Sequence, residues 1–294
     1  MKKMVILILL LMLCVCSAHS EEAPDGKTEK VYFPFFEKEA LEGFGYVLYP
    51  EKSGLLLSAY SENAEIAVTV EQDESAGAQE FLKSYIEGMK RYAFLTETPE
   101  ILAWATNDGQ SGAKTRISYR HNKAAEDEDA YTTDAFSVKL DENLFLLVVF
   151  NSWTEEAKQA LTETEERFFK SFLLEKREVS KVHLAFVKNA REDEEGNQYV
   201  SLDFCQVVYD PEIFSVYAQN HEAQTVEYRL SKDALIWSYD INASIYMQSL
   251  TKSDAESLIE IAAHYYENKG FDIIYQIMFD SDNEIIWMMH YNAF

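Results

Sequence analysis

The chain has 294 residues, 47% of them apolar, and carries 51 acidic against 26 basic side chains for a formal charge of −25. That apolar content excludes a disordered chain, the length suits two domains of ordinary size, and the charge repels phosphate backbones, which excludes nucleic acid as a partner. Of three cysteines, Cys14 and Cys16 fall in the N-terminal apolar run, which leaves Cys205 alone and excludes a disulfide-stapled scaffold.

Met1–Ser20 has the three parts of a secretory signal. Lys2-Lys3 is basic, Met4 to Cys16 is apolar, and Ser17, Ala18 and Ser20 are small. The apolar run is shorter than the roughly 20 residues of a membrane-spanning helix, so no transmembrane span is expected in the mature chain. Ala18 and Ser20 suit cleavage between Ser20 and Glu21. The alternative is lipidation at Cys16, which has Leu13 at −3 but Val15 where a lipoprotein carries a small residue. A short basic leader and a single remaining cysteine point to a bacterial exported protein, secreted or extracytoplasmic.

Glu21–Lys30 is polar and reads as a tether, and the aromatic run Val31–Phe36 as a segment that docks on the first domain. Tyr46–Pro50 and Leu55–Tyr60 are short apolar runs split by Ser53-Gly54, a hairpin signal, and Ile66, Val68 and Val70 mark a half-buried strand. Ser75 is placed to cap a helix whose apolar face is Phe81, Leu82, Tyr85, Ile86 and Met89. Strands are expected over Ile101–Thr106, Ala113–His121, Tyr131–Leu140 and Leu144–Phe150, the last continuously apolar as a strand covered on both faces would be. Thr154 then caps a helix with Glu155 and Glu156 in its first turn and a stripe of Leu161, Thr164, Phe168 and Phe172.

Gly45-Tyr46-Val47-Leu48-Tyr49-Pro50, the Phe81–Met89 helix and the last helix ending Phe168-Phe169-Lys170-Ser171-Phe172 give Gly43–Leu174 a layout that resembles the PsbP-like or DcrB-like family of exported α/β sandwich domains. The resemblance implies a scaffold with diverse, mostly non-catalytic roles, and it carries no functional residue over to this chain.

Glu175–Ser180 is charged and reads as the domain boundary. Beyond it Val182, Leu184 and Phe186 alternate, the loop Arg191–Asn197 is acidic, and Val200, Leu202, Phe204 and Val208 line one strand face. Asp210-Pro211 suits a short helix start, and Thr225–Leu230 and Leu235–Tyr239 read as two strands. Ser253-Asp254-Ala255-Glu256 is a capping box for a helix that turns Leu258, Ile259, Ala262, Tyr265 and Tyr266 inward and stops at Gly270. Ile273–Phe279 and Glu284–Tyr291 form a hairpin around Asp280-Ser281-Asp282-Asn283. Tyr199–Val208 and Tyr228–Ala234 are similar to C-terminal modules of uncharacterised exported proteins of Gram-positive bacteria, a resemblance that brings no known chemistry.

The expected fold class is α+β: an N-terminal antiparallel sheet packed by helices, then a mostly antiparallel, barrel-like β domain with one main helix. The expected organisation is a signal at 1–20, a tether and docking segment at 21–42, an α+β sandwich at 43–176 and a β-rich domain at 177–294 with its helix at 253–269.

No catalytic pattern stands out. Glu126–Asp129 and Glu192–Glu195 read as solvated acidic loops, and Asp280–Glu284 has Ile285 where a calcium loop needs glycine. There is no His-Glu-x-x-His, and Gly109-Gln110-Ser111-Gly112 lacks the spacing of a nucleophile elbow. No cofactor or metal is expected. Phe and Tyr, 18 each, mostly serve cores, with an aromatic groove for a sugar or peptide as the sharper reading. The function expected is non-catalytic binding or interaction in the cell envelope or extracellular space, with another envelope or extracellular protein as partner. The alternative is a hydrolase or ligand-binding enzyme whose site assembles from distant residues.

Overall fold

Leu144–Ser152 is apolar at almost every position because both of its faces are covered. The computed structural model describes residues 28–50, 54–107, 109–121, 130–210, 215–220, 224–239, 250–253, 257–261, 263 and 273–291. Ser20, Glu21 and Cys16 lie outside those residues, as do Glu126–Asp129, Asp254–Glu256, Tyr265 and Tyr266. The chain divides into two compact units, Lys30–Arg177 and, with the residues before Lys30, Glu178–Phe294.

The first unit is built on an antiparallel sheet of β2 (Gly45–Leu48), β3 (Gly54–Tyr60), β4 (Ala64–Gln72), β5 (Phe94–Leu95), β6 (Ile101–Ala105), β7 (Ser111–Arg120), β8 (Tyr131–Asp141) and β9 (Leu144–Ser152). The strand order is β2-β3-β4-β9-β8-β7-β5, with β6 also on β7. Odd-numbered residues of β9 pack under α1 (Ala78–Met89), where the rings of Phe81 and Phe145 stack at 4.7 Å and Leu82 is fully buried. Burying one such side chain stabilises by about 1.5–3 kcal/mol. Even-numbered residues face α2 (Glu155–Ser171), where Phe150 meets Phe168. Thr154 caps α2 by accepting from the Ala157 N–H at 3.1 Å. For α1 the expected cap is corrected. The N-cap is Gly77, and Ser75 instead donates twice to Asp73 while Glu80 reaches back to the Ala76 N–H at 2.7 Å. A serine two residues early lies beyond reach of the first helical amides, so it closes a local turn instead.

β1 (Thr28–Phe35) pairs with β10 (Leu173–Ser180) as a two-stranded ribbon. Glu175–Ser180, read from its charges as the domain boundary, lies within β10, and the division between the two units falls inside it, between Arg177 and Glu178. The Arg177 guanidinium lies 4.6 Å from the Phe35 ring centroid and the Lys176 ammonium 5.2 Å from that of Tyr32. The aromatic run continues into the unit's core, where Phe36 packs on Tyr46 and Phe168.

In the second unit β11 (His183–Glu192), β12 (Gln198–Phe204), β15 (Thr225–Tyr239), β18 (Ile285–His290) and β17 (Ile274–Phe279) pair in a closed ring, antiparallel except where β15 meets β18. β15 is a single strand across the two segments expected. Its first half pairs with β12 and its second with β16 (Leu250–Ser253), while β18 pairs with it on both sides of Ser231-Lys232-Asp233, at Leu230 and again from Leu235. Ala185, Leu202, Ile236, Ile277 and Phe279 fill the interior, joined by Leu258 and Ile261 of the helix at 257–261. A hairpin of β13 (Gln206–Asp210) and β14 (Ser215–Gln219) follows β12, and the single run expected across Tyr199–Val208 breaks at Cys205. Cys205 is fully buried beside Leu184 and Ile274.

The barrel also buries polar groups. The Ser238 and Tyr275 hydroxyls are 3.0 Å apart, and the Tyr275 and His290 rings lie 5.7 Å apart. Burial pushes His290 down from 6.5 to about 4. The folded state therefore resists a proton that the unfolded chain accepts. Stability is whole above about pH 6.5 and falls by up to about 3 kcal/mol as the pH drops toward 4. Urea unfolding of the wild type and His290→Phe at pH 7.5 and 4.5 checks this. The variant is expected to lose less stability on acidification, and an equal loss in both would remove His290 as the cause.

Candidate functional site

On the α2 side of the sheet an open recess of about 260 Å³ lies between β6, β7, β8 and the helix. Registry builds it. Leu102 on β6 is opposite Lys114 on β7, which is opposite Phe136 on β8, so those three form one row. Arg116 and Asp134 form the next row. From above, Phe169 of α2 packs on Phe136 at 4.7 Å between ring centroids and on Trp104 at 4.8 Å. Glu165 lies four residues before Phe169, one turn away on the same helix face, and so completes the lining of the recess.

The four charged groups are not equivalent. Arg116 and Asp134 satisfy each other with two hydrogen bonds, Nε to Oδ1 at 2.6 Å and Nη2 to Oδ2 at 2.8 Å. That fork is the strong form of a carboxylate pair, and it holds the guanidinium above its usual range. Glu165 makes no hydrogen bond or ion pair among the described residues. Burial, then the Asp134 charge, pushes it up to about 7, with Lys114 and Arg116 opposing. Lys114 likewise makes no ion pair among the described residues, though its charge acts on Glu165, and its ammonium lies 5.9 Å from the Phe136 ring centroid. The recess thus offers a carboxyl pushed up to about 7, an ammonium in no ion pair among the described residues, and an apolar floor of Phe136 and Leu102.

Asp134→Asn is expected to bring Glu165 down from about 7 toward 4.5, because it removes a neighbouring negative charge and releases Arg116 to favour the carboxylate. Carboxyl NMR titration of labelled protein reads this directly. An unchanged Glu165 would mean that burial alone holds it.

None of these residues stood out in the sequence as a site. Lys114 and Arg116 fall on the face of β7 opposite Thr115 and Ile117, which reads as a solvent face until α2 is placed above it. Glu165 adjoins the Thr164 and Phe168 stripe, and that adjacency was the available signal. The acidic loop of β11 and β12 uses its carboxylate locally: Asp193 accepts the backbone N–H of Glu195 and of Asn197 at 2.9 and 2.8 Å. In the β17–β18 turn Asp280 does the same for Asp282 and Glu284, both at 2.9 Å. Trp237 and Trp287 are buried, and Trp104 packs against Phe136 and Phe169.

No family model matches the chain, so neither resemblance drawn from the sequence rests on one. No curated protein matches it in sequence. Among solved structures it is similar to cyanobacterial PsbP (CyanoP) from Synechocystis sp. PCC 6803, at 10% identity and a TM-score of 0.30, over 49% of this chain and 93% of that one. A likeness at that level bears on neither the fold nor the function of this chain.

Proposed function

We propose that this is an exported protein that works by binding, with the recess of its first unit as a ligand site and another envelope or extracellular protein as its partner. The observation that carries the reading is the placement of Lys114 and Glu165 over one apolar floor, neither of them in an ion pair among the described residues. Charged groups held half-buried and unpaired cost stability, and a ligand that pairs them recovers it. The volume is just below the range of about 300–1,000 Å³ typical of small-molecule pockets, which suits a small ligand. The leader supports export, with cleavage between Ser20 and Glu21. The described residues contain no helix long and apolar enough to cross a membrane.

Native mass spectrometry of the chain recovered from its own extracytoplasmic compartment tests this. A mass starting at Glu21 and a small-molecule adduct lost in the Lys114→Met, Glu165→Gln double variant are expected. A lipid mass on Cys16 would replace secretion by anchoring, and identical adduct-free spectra for both proteins would overturn the binding reading. One observation favours the hydrolase alternative: a carboxyl near 7 beside a second carboxylate divides acid from base roles. Turnover of a co-purified compound by the wild type and not by Glu165→Gln would decide for it.

A further inference from the structure

The geometry points to a small zwitterion, an α-amino acid with an apolar side chain, as the ligand of this recess. The inference rests on the binding reading above and specifies its chemistry. Three features of the lining match three parts of such a molecule. The Lys114 ammonium takes the carboxylate, the Glu165 carboxylate takes the ammonium, and Phe136 with Leu102 takes the side chain. Arg116 and Asp134 are already paired in both arms of the guanidinium fork, so they form a wall and leave recognition to the other two charges. Lys114 and Glu165 line the same recess and are not joined by an ion pair, so a ligand that presents both charges can stand between them. A cation alone leaves Lys114 unanswered, and an anion alone leaves Glu165 unanswered. The recess, at about 260 Å³, is of a size that a single amino acid fills. Phe136 contributes further, because its ring, 5.9 Å from the ammonium, draws that charge toward the floor.

Binding and protonation are then linked. Asp134, Arg116 and Lys114 face Glu165 from the sheet, and Glu166 adjoins it on α2. A ligand ammonium favours the ionised carboxyl, so binding near pH 7 releases up to about half a proton, and affinity rises about tenfold from pH 6 to pH 8.

The test is calorimetric titration of the mature chain with three probes of one shape: L-leucine, isopentylamine and 4-methylpentanoate. Leucine is expected to bind roughly ten- to a hundredfold more tightly than either half-ligand, since each charged hydrogen bond lost carries that factor. Lys114→Met should abolish the preference for leucine over isopentylamine, and Glu165→Gln the preference over 4-methylpentanoate together with the proton release. Either half-ligand binding as tightly as leucine, or leucine binding unaltered in both variants, would overturn the assignment. If leucine and larger apolar amino acids all fail to bind while the compartment-derived adduct persists in the wild type, the zwitterion assignment falls and the binding reading survives. If the adduct is absent as well, both fall.

Discussion

Phe168→Ala is expected to destabilise the first unit by about 3–5 kcal/mol, the usual cost of deleting a buried aromatic ring. Phe168 is fully buried and touches four other rings: Phe36 at 5.6 Å, Phe150 at 5.8 Å, Phe169 at 5.6 Å and Phe172 at 4.8 Å between centroids. These come from the N-terminal aromatic run, the central strand and α2 with its C-cap Phe172, so one ring ties three parts of the chain. The melting temperature should fall by roughly 10 °C. The second consequence is chemical. Glu165 is one turn before Phe168 and owes its raised protonation to burial against the sheet. A helix that no longer seats firmly admits water, and Glu165 should then titrate closer to 4.5. Thermal unfolding and carboxyl NMR on the same variant separate the two effects. A loss below about 1 kcal/mol with Glu165 still near 7 would show that other contacts seat the helix.

The parts of this fold that could be read from sequence are those set by local chemistry. Thr154 with Glu155 and Glu156 announces a helix start, and the alternation of β4 and the turn before Glu284 announce strands without any partner being known. What could not be read depends on pairing at a distance. Ser231-Lys232-Asp233 looks like a loop until β18 is seen to pair with β15 on both sides of it, at Leu230 and again from Leu235. Glu175-Lys176-Arg177 marks a boundary by its charge, but that it is also a strand shows only when the rings of Tyr32, Phe33 and Phe35 lie beside its cations. The recess is harder again. It needs the registry of three strands and the rotational phase of α2, and 51 acidic residues supply far more chance carboxylate pairs than real ones. Lys114 and Glu165 are 51 positions apart, and neither carries a motif.

Gly112→Ala is the other substitution expected to be costly, and the contrast with Gly109 shows why. In the sequence the two glycines belong to one polar cluster and both look like turn residues. Gly109 does serve a turn, with φ +85°, a conformation that disfavours side chains, and nothing lies within 4 Å of an added Cβ. Gly112 belongs to β7 and is paired on both sides, with Trp104 of β6 and Val138 of β8. A Cβ there would lie 2.5 Å from the Ser137 carbonyl oxygen, 3.0 Å from Trp104 and 3.1 Å from Val138. The oxygen is backbone in the neighbouring strand, so it moves only if the β7–β8 ladder moves with it. Overpacking of this kind costs about 1–3 kcal/mol for a methyl group, and more for valine, because the strand must part from its neighbour. Gly109→Ala should cost about 1 kcal/mol from backbone strain alone. The recess reads the difference as well. Lys114 and Arg116 follow Gly112 on the same strand face, so a displaced β7 disturbs their registry with Phe136 and Asp134, whereas a strained turn at Gly109 leaves it intact. Gly112→Ala is therefore expected to lower the melting temperature by several degrees and to shift the Glu165 titration, while Gly109→Ala lowers the melting temperature less and leaves Glu165 near 7. Equal melting temperatures for the two variants would show that the sheet absorbs the methyl group without strain.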